Sequence, residues 1–512
     1  MRRNKKFYIT TPLYYVNASP HIGHSYTNIS ADCLARYMRG LLGDKHVWFL
    51  TGTDEHGQKI QKAACQAKLS PQEFADKMVA QFRGLWKRLN ISYNDFIRTT
   101  EQRHISCVQK VLEILYQKGD VYPAKYEGWY CTPCETFWQE SEVAFTQDKQ
   151  PICADCRRPL EKIQEENYFF RLSKYQDWLL DYIKQHPDFI RPLTRYNEVA
   201  SFLTSQRLSD LCISRPRERL QWGIPVPFSQ EHVTYVWFDA LINYISAVGS
   251  FGKDGVYSSQ WWPADLHLIG KDILRQHAIY WPIMLKALNI ESPVTIFAHG
   301  WWMIGESKMS KSRGNIVSPL EMADKFGIDV YRYFLLRDVP FGQDGNFSEE
   351  AIVKRFNGDL ANDLGNLVYR ALTMIEKYSA GSLPKGDIEA DDKQANEIYA
   401  KLKGIGQGVA SGLSGPDFNF SVALEGIWEA INMANKYIED KKPWNLAKEN
   451  RQQELDAFLL VLVEVIRGAE QAIAPFMPQT AESIKKQLGR DKIKKGKPLF
   501  PRIDTKGPIE NN

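Results

Sequence analysis

Four short apolar segments, each followed directly by a polar cluster, constrain the fold of this 512-residue chain more than any other feature. The segments are residues 7–10, 46–50, 266–269 and 294–298, and helical patterns such as residues 21–41 lie between them. Strands that alternate with helices form right-handed βαβ units, in which the strands run parallel. The sequence therefore predicts an α/β fold with a Rossmann-like, doubly wound parallel sheet.

The segments outside these units differ in character. Residues 118–223 carry paired cysteines and many aromatic residues at irregular spacing, which indicates an insertion into the α/β domain. From about residue 356, apolar residues recur at helical spacing between turns rich in Gly and Pro, which predicts a C-terminal α-helical bundle. The predicted domains are residues 1–117, 118–223, 224–320, 321–355 and 356–512, of which the first and third are the halves of the α/β domain.

Length and composition are those of a globular protein with several packed units. The chain is 44% hydrophobic and 25% charged, and its net charge of +4 excludes no class of partner. No apolar segment approaches the roughly 20 residues that cross a bilayer, and the N-terminal apolar stretch is too short for a signal peptide. We therefore expect a cytoplasmic protein without membrane association, in which the eight cysteines form no disulfides.

The polar clusters follow the carboxyl ends of the four predicted strands. They are residues 20–24 (Pro-His-Ile-Gly-His), residues 53–57 (Thr-Asp-Glu-His-Gly), residues 270–272 (Gly-Lys-Asp), and His299-Gly300 with the later residues 308–312 (Lys-Met-Ser-Lys-Ser). Open α/β sheets bind ligands at the carboxyl ends of their strands. The sequence therefore predicts that these clusters share one ligand site.

Two of the clusters suit a phosphate chain. His21 and His24 are three residues apart at the start of a helix, where free N–H groups favour anions, and Gly23 would let a flat base approach the backbone. Lys308 and Lys311 supply two compact cations on a short polar loop that could close over a triphosphate. Considered separately, the histidines also fit a structural or metal-binding pair, and the lysines also fit a solvated basic loop.

Four cysteines have the spacing of a zinc site. Cys131 and Cys134 form one Cys-x-x-Cys pair, and Cys153 and Cys156 form another. Four thiolates complete a tetrahedral shell with no open position, so the predicted ion is a single structural Zn²⁺. Free cysteines in the core are the alternative.

The histidine and lysine clusters together resemble the two signature motifs of class I aminoacyl-tRNA synthetases. Residues 11–17, residues 235–240 and residues 270–277 resemble segments of the methionyl family within that class. The resemblance implies that ATP activates L-methionine to methionyl-adenylate, with Mg²⁺ accompanying ATP. The methionyl group then passes to the 3′ end of methionine tRNA, both initiator and elongator.

The resemblance also assigns roles to residues of this sequence. Those for catalysis and ATP are His21, Gly23, His24, Gly270, Asp272, Lys308 and Lys311. Those for methionine are Pro12, Leu13, Tyr15, Asp54, Trp237, Ala240, Leu241, Tyr244, Ile273 and His277, with Asp54 on the substrate ammonium group. Those for the anticodon are Asn366, Arg370 and Trp444. By residue type alone, Tyr15, Trp237, Tyr244 and Trp444 also fit core packing.

The resemblance implies a role for each domain and a short set of alternatives. Residues 118–223 correspond to the connective-peptide insertion, residues 321–355 to a stem-contact linker and residues 356–512 to the anticodon-binding domain. Because the sequence ends in a short basic tail without an appended oligonucleotide-binding domain, a monomer is expected. The alternatives are another class I synthetase, such as the valine, isoleucine, leucine or cysteine enzyme, a small-molecule nucleotidyltransferase, and a non-catalytic tRNA-binding or zinc-scaffold protein.

Overall fold

The computed structural model describes two compact units. The described residues are 6–132, 136–138, 140, 143–154, 156–304, 307–308, 317–384, 391–415 and 417–504. The first unit comprises Met1–Ala31 and Met38–His299, and the second comprises Asp32–Tyr37 and Gly300–Asn512.

The first unit holds sixteen strands and nine α-helices within the described residues. In chain order they are β1 (Phe7–Tyr15), α1 (Ile22–Leu42), β2 (Val47–Asp54), α2 (Gln58–Gln66), α3 (Pro71–Arg88), β3 (Asp95–Arg98), α4 (Gln102–Gln117), β4 (Val121–Cys131), β5 (Thr136–Trp138), β6 (Ala144–Phe145), β7 (Pro151–Ile152), β8 (Glu161–Phe170), α5 (Gln176–Gln185), β9 (Ile190–Arg191), α6 (Leu193–Ser205), β10 (Leu211–Cys212), β11 (Ser214–Pro216), β12 (His232–Thr234), α7 (Val236–Leu241), α8 (Asn243–Ser246), β13 (Gly249–Phe251), β14 (Tyr257–Ser259), β15 (Leu266–Gly270), α9 (Trp281–Ala287) and β16 (Thr295–His299).

A six-stranded parallel sheet forms the centre of the first unit. Its strand order is β3-β2-β1-β15-β16-β9, and every pairing in it is parallel. The chain moves outwards from β1 in one direction through β2 and β3, and later in the other direction through β15 and β16. The predicted doubly wound α/β fold is therefore confirmed. The edge strand β9 comes from the segment between residues 118 and 223.

The two strands at the centre of this sheet separate towards their carboxyl ends. β1 pairs with β15 only at Ile9 and Thr10, whereas its last three residues, Leu13 to Tyr15, pair with β2. The register between β1 and β2 shifts after Thr10, which marks an irregularity in the strand. Because the strand order reverses between β1 and β15, this separation opens a crevice where open α/β sheets bind ligands.

A second, antiparallel sheet has the order β10-β8-β4-β5. Its centre is a long pairing of β4 with β8, which extends from Val121↔Phe170 to Tyr130↔Glu161. The first predicted cysteine ligand, Cys131, is the last residue of β4. The antiparallel sheet therefore supports the cysteine cluster.

The second unit is mainly helical, as the sequence predicts. Its described elements are β17 (Trp302–Ile304), β18 (Ser307–Lys308), α10 (Pro319–Phe326), α11 (Ile328–Arg337), β19 (Gly345–Asn346), α12 (Glu349–Arg355), α13 (Asn366–Tyr378), α14 (Lys393–Ser414), α15 (Phe420–Lys441), α16 (Pro443–Lys448), α17 (Gln452–Ile473) and α18 (Pro478–Leu488). A π-helical segment, Phe356–Gly365, joins α12 to α13. Helix α17 buries an apolar face that includes Leu455, Leu459, Leu462 and Ile466, as expected of a bundle helix. Among the described residues, no helix is long and apolar enough to span a membrane.

Gly52 provides a test of the close packing of β2 against β3. A Cβ atom at this position would lie 2.0 Å from the carbonyl oxygen of Ile97, which belongs to the backbone and cannot move aside. We expect Gly52→Ala to lower the free energy of unfolding by about 1–3 kcal/mol or more, in the range of an overpacked core. Thermal and urea unfolding followed by circular dichroism measure this loss.

Gly84 is the matched control, because it lies on an exposed face of α3 and a Cβ there meets nothing within 4 Å. Gly84→Ala should raise the free energy of unfolding by about 0.5–1 kcal/mol, since alanine is the better helix former. Equal stability of the two variants would contradict the close approach of β2 to β3.

Candidate active site at the sheet switch point

The first turn of α1 presents two stacked imidazoles. The rings of His21 and His24 are 3.9 Å apart between centroids, with planes inclined at 28°. His21 caps the helix: its Nδ1 accepts the Gly23 N–H at 3.1 Å, and Nδ1 of His24 accepts the His21 N–H at 3.1 Å. Because each Nδ1 is an acceptor, the neutral rings carry their hydrogens on Nε2. Two N–H donors therefore belong to one helix N-terminus, which suits an anion.

Neighbouring side chains hold this pair in place. Tyr14 packs edge-on against the ring of His24 with centroids 4.9 Å apart, and Phe82 contacts the same ring at 5.5 Å. On the next turn of α1, Thr27 Oγ1 lies 2.7 Å from Nε2 of His299, the last residue of β16. Helix α1, which begins at the histidine cluster, is therefore in contact with the end of the fourth predicted strand.

Gly23 and Gly270 lie close to side chains of their own clusters. A Cβ on Gly23 would approach the His21 ring to 3.0 Å, and a Cβ on Gly270 would come within 2.6 Å of Oδ1 of Asp272. Gly270 pairs with His299 between β15 and β16. The third and fourth polar clusters thus meet at the carboxyl edge of the sheet.

The loop after β2 carries a buried carboxylate, Asp54, which is only 5% exposed. Asp54 pairs with Tyr15 across β1 and β2, so these two predicted methionine contacts are adjacent. The following residue, Glu55, is fully buried and accepts two hydrogen bonds from Arg98, at 2.7 and 2.8 Å, and one from Thr100 Oγ1 at 2.8 Å. This ion pair anchors the loop to the segment that contains β3.

His56, on the same loop, joins a buried chain of polar groups. Its Nδ1 lies 2.7 Å from one carboxylate oxygen of Asp239, and the other oxygen lies 2.7 Å from Nε2 of His104. The backbone carbonyl of His56 accepts the Tyr15 hydroxyl at 2.9 Å. Burial alone would raise the pKa of Asp239, but the two imidazoles outweigh burial and hold that pKa below its usual value. Asp239 is therefore an anion.

A second buried chain runs through Tyr244 and His277. The Tyr244 hydroxyl lies 2.7 Å from Nε2 of His277, whose Nδ1 lies 2.9 Å from the Ile273 carbonyl. Because a carbonyl only accepts, Nδ1 carries the hydrogen and Nε2 accepts the hydroxyl. Burial lowers the pKa of His277 to about 4, against the weaker opposing effects of the Ile273 carbonyl and Asp272, so the ring is neutral at neutral pH. Tyr244 also stacks on His267 at 4.1 Å.

The remaining predicted methionine contacts also belong to the first unit. Pro12, Ala240 and Leu241 are buried, whereas Leu13, Trp237 and Ile273 are partly buried. Nε1 of Trp237 is buried and has no hydrogen-bond partner among the described residues. Of the predicted lysine loop, the Lys308 side chain and the whole of Lys311 lie outside the described residues.

Three of the four predicted zinc ligands form a cluster. The Sγ atoms of Cys131, Cys153 and Cys156 lie within 4.8 Å of one another, and those of Cys131 and Cys156 are 3.5 Å apart. In a tetrahedral site, a Zn–S distance of about 2.3 Å corresponds to sulfur atoms roughly 3.8 Å apart. These three thiols therefore fit such an ion, and Cys134 lies outside the described residues.

The three predicted anticodon residues all belong to the second unit. Asn366 Nδ2 donates to Asn435 Oδ1 at 3.5 Å, and Arg370 Nη1 donates to Glu439 Oε1 at 2.6 Å, so both residues of α13 face α15. Trp444 follows on α16 and is 40% exposed, so it is not a core tryptophan.

The sequence matches the family model "tRNA synthetases class I (M)" over residues 7–372. It is 46% identical to a methionine–tRNA ligase from Clostridium acetobutylicum, in an alignment that covers 100% of this chain and 80% of that protein. The chain belongs to the methionine–tRNA ligase family. A Thermotoga maritima family member is 45% identical, covering 98% of this chain and 81% of that protein.

Solved structures of the family agree over the same length. The Mycobacterium tuberculosis methionyl-tRNA synthetase in complex with methionyl-adenylate superposes with a TM-score of 0.91 at 41% identity, covering 98% of this chain and 100% of that one. The free form of that synthetase gives a TM-score of 0.83 at 38% identity, covering 98% and 99% of the two chains.

Two features of the site were not predicted from the sequence. One is the ion pair of Glu55 with Arg98, and the other is the pair of histidines, His56 and His104, on either side of Asp239. The sequence contains one signal for the paired histidines: Asp239 is the only charged residue between Val233 and Val248. A lone acid in an apolar segment needs a buried partner.

The cysteine cluster provides the second test. We expect Cys131→Ala to lose bound zinc, because a three-thiolate remnant cannot complete the tetrahedral shell. Cys65→Ala, which changes an exposed cysteine remote in sequence from the cluster, is the control and should retain the metal. Metal analysis of the purified variants by mass spectrometry measures the stoichiometry, and an unchanged zinc content in Cys131→Ala would refute the assignment.

Proposed function

We propose that this chain activates L-methionine with ATP to form methionyl-adenylate and transfers the methionyl group to the 3′ end of methionine tRNA. The observation that carries the proposal is the stacked pair of His21 and His24 at the helix N-terminus beside the sheet crevice. The related structure in complex with methionyl-adenylate supports the same reaction.

In the first step, a carboxylate oxygen of methionine attacks the α-phosphorus of ATP. The bond from that phosphorus to the bridging oxygen breaks, and pyrophosphate leaves with the electron pair. His21 and His24 donate from Nε2 to phosphate oxygens, while Gly23, Gly270 and Asp272 hold the nucleoside. Lys308 and Lys311 contribute positive charge, and Mg²⁺ accompanies the phosphates. Catalysis consists of positioning and of stabilising the developing charge.

Methionine is held at both ends in this proposal. The Asp54 carboxylate binds the substrate ammonium group in a charge-assisted hydrogen bond. The side chain enters a pocket formed by Pro12, Leu13, Tyr15, Trp237, Ala240, Leu241, Tyr244, Ile273 and His277. Aromatic faces and a neutral imidazole suit an uncharged, polarisable thioether. The low pKa of His277 supports this role, because a protonated ring would bring an unpaired charge into an apolar pocket.

In the second step, a hydroxyl of the terminal ribose attacks the carbonyl carbon of the adenylate, and AMP leaves. Residues 356–512 bind the anticodon through Asn366, Arg370 and Trp444, and residues 321–355 contact the stem. Trp444 is exposed and could stack on an unpaired base. Residues 118–223 form the connective insertion, in which one structural Zn²⁺ is held by Cys131, Cys134, Cys153 and Cys156. Residues 1–117 and 224–320 form the catalytic domain of a cytoplasmic monomer.

An exchange assay across the twenty amino acids tests the first step. With methionine, the protein should exchange radiolabelled pyrophosphate into ATP, because the reversible activation step needs no tRNA. Valine, isoleucine, leucine and cysteine should give at most a small fraction of that rate. Exchange with another amino acid in preference to methionine would contradict the proposal, and so would no exchange with any of them.

The Trp444→Ala variant tests the anticodon contact. Loss of one stacked base costs about 1–3 kcal/mol, so we expect kcat/KM for tRNA charging to fall about 10-fold to 100-fold. Methionine-dependent pyrophosphate exchange should be unchanged. Val422→Ala, which removes another exposed apolar side chain of the helical unit, should change neither reaction. Equal damage to exchange and charging in Trp444→Ala would count against anticodon contact.

A further inference from the structure

The predicted methionine contacts include residues of two segments that the main sheet does not join, the end of β2 and α7. Asp54 ends β2, which pairs with β1 and β3. Trp237 and Ala240 lie on α7, which is not part of any sheet. The position of Asp54 relative to the α7 wall of the proposed pocket therefore depends on contacts between side chains.

Asp239 links the two segments. It lies on α7 between Trp237 and Ala240, and its carboxylate is fully buried. One oxygen lies 2.7 Å from Nδ1 of His56, which is two residues beyond Asp54. Because an ionised carboxylate only accepts hydrogen bonds, His56 must donate from Nδ1. A buried carboxylate between two donors makes hydrogen bonds that are short and strong.

His56 also connects Asp239 to the strands of the main sheet. Its backbone carbonyl accepts the hydroxyl of Tyr15, the last residue of β1. Between Asp54 and His56, the side chain of Glu55 is anchored separately by Arg98. The two residues that follow Asp54 are therefore both fixed, one towards β3 and one towards α7.

The second oxygen of Asp239 extends the same network to two more helices. It lies 2.7 Å from Nε2 of His104 on α4, and Nδ1 of His104 lies 2.9 Å from the hydroxyl oxygen of Ser246. Ser246 is two residues beyond Tyr244 on α8. A single carboxylate thus connects the loop of Asp54 with the helices that carry Trp237, Ala240 and Tyr244.

We propose that Asp239 is a positioning residue for the amino-acid substrate, which holds the Asp54 loop and the α7 pocket wall in the relative position that binds methionine. This proposal rests on the proposed function. The buried carboxylate is directed at two imidazoles, so it acts through them. Its loss should weaken methionine binding and leave ATP binding unchanged, because its carboxylate contacts His56 and His104, neither of which is among the residues proposed to bind ATP.

Asp239→Asn is the first variant to measure. The amide keeps the shape and can still accept from one histidine and donate to the other after a change of tautomer, so we expect the variant to fold. The negative charge is lost, and with it charge-assisted hydrogen bonds that contribute about 1.5–3 kcal/mol each. We expect the KM for methionine in pyrophosphate exchange to rise about 10-fold to 100-fold, while the KM for ATP changes less than about twofold.

A pair of His56 variants keeps the proposal testable if Asp239→Asn fails to fold. His56→Ala removes the donor to Asp239 and should raise the methionine KM. In His56→Asn, the side-chain amide nitrogen can take the place of Nδ1 and donate to the same carboxylate oxygen. We therefore expect His56→Asn to restore most of the methionine affinity, a rescue that general loss of stability would not produce.

Tyr175→Phe is the matched control. It removes a 2.8 Å hydrogen bond to another buried carboxylate of the first unit, Asp120, which has no contact with the Asp54 loop among the described hydrogen bonds. Its methionine KM should equal that of the unmodified protein. Circular dichroism and titration of adenylate-forming sites establish the folded, active fraction of each sample.

Three results would overturn the inference: an unchanged methionine KM in folded Asp239→Asn and His56→Ala, a parallel rise in the KM for ATP, or no rescue by His56→Asn. These results differ from failure of the proposed function. If the unmodified protein shows no methionine-dependent exchange, the proposed function is wrong, and the inference with it. If that protein exchanges normally and only the variants behave otherwise than expected, the inference alone is wrong.

Discussion

The site depends on the unequal pairing of β1 with its two neighbours, β2 and β15. At Ile9 and Thr10 the strand pairs with both neighbours, and beyond Thr10 it pairs only with β2. Where β1 no longer pairs with β15, a gap opens between the carboxyl ends of these two strands. Polar groups lie along the rim of this gap. The histidine pair of α1, the Asp54 loop and the ends of β15 and β16 all lie at this rim.

Polar groups buried at such a rim are stable only when they are paired, because an unpaired buried charge is expensive. The first unit satisfies this condition with neutral imidazoles and with ion pairs. Glu55 is neutralised by Arg98, and Asp239 stands between two imidazoles. His277 avoids the cost by remaining neutral. The buried charges of Glu55 and Asp239 are therefore paired within the first unit, and His277 carries none.

The sequence predicts the sheet well because hydrophobic strands and polar exits recur along the chain. The apolar pattern alone predicts β1 too short, as residues 7–10, whereas the strand continues to Tyr15. The additional residues are strand-like only because they pair with β2, and no local pattern reports that pairing. The edge strand β9, at two residues, is also too short to show a period. The residues around His56 do not indicate that it pairs with Asp239, since 183 positions separate the two and only the folded chain brings them together.

The imidazole of His21 combines two roles, since its Nδ1 caps the beginning of α1 and its Nε2 is the proposed donor to phosphate. An alanine at this position would fray the helix as well as remove a ligand contact, so any deficit would mix two causes. Asparagine begins helices readily but has no equivalent of Nε2. Comparing His21→Ala with His21→Asn therefore separates the contribution of helix capping from the contribution of the Nε2 donor.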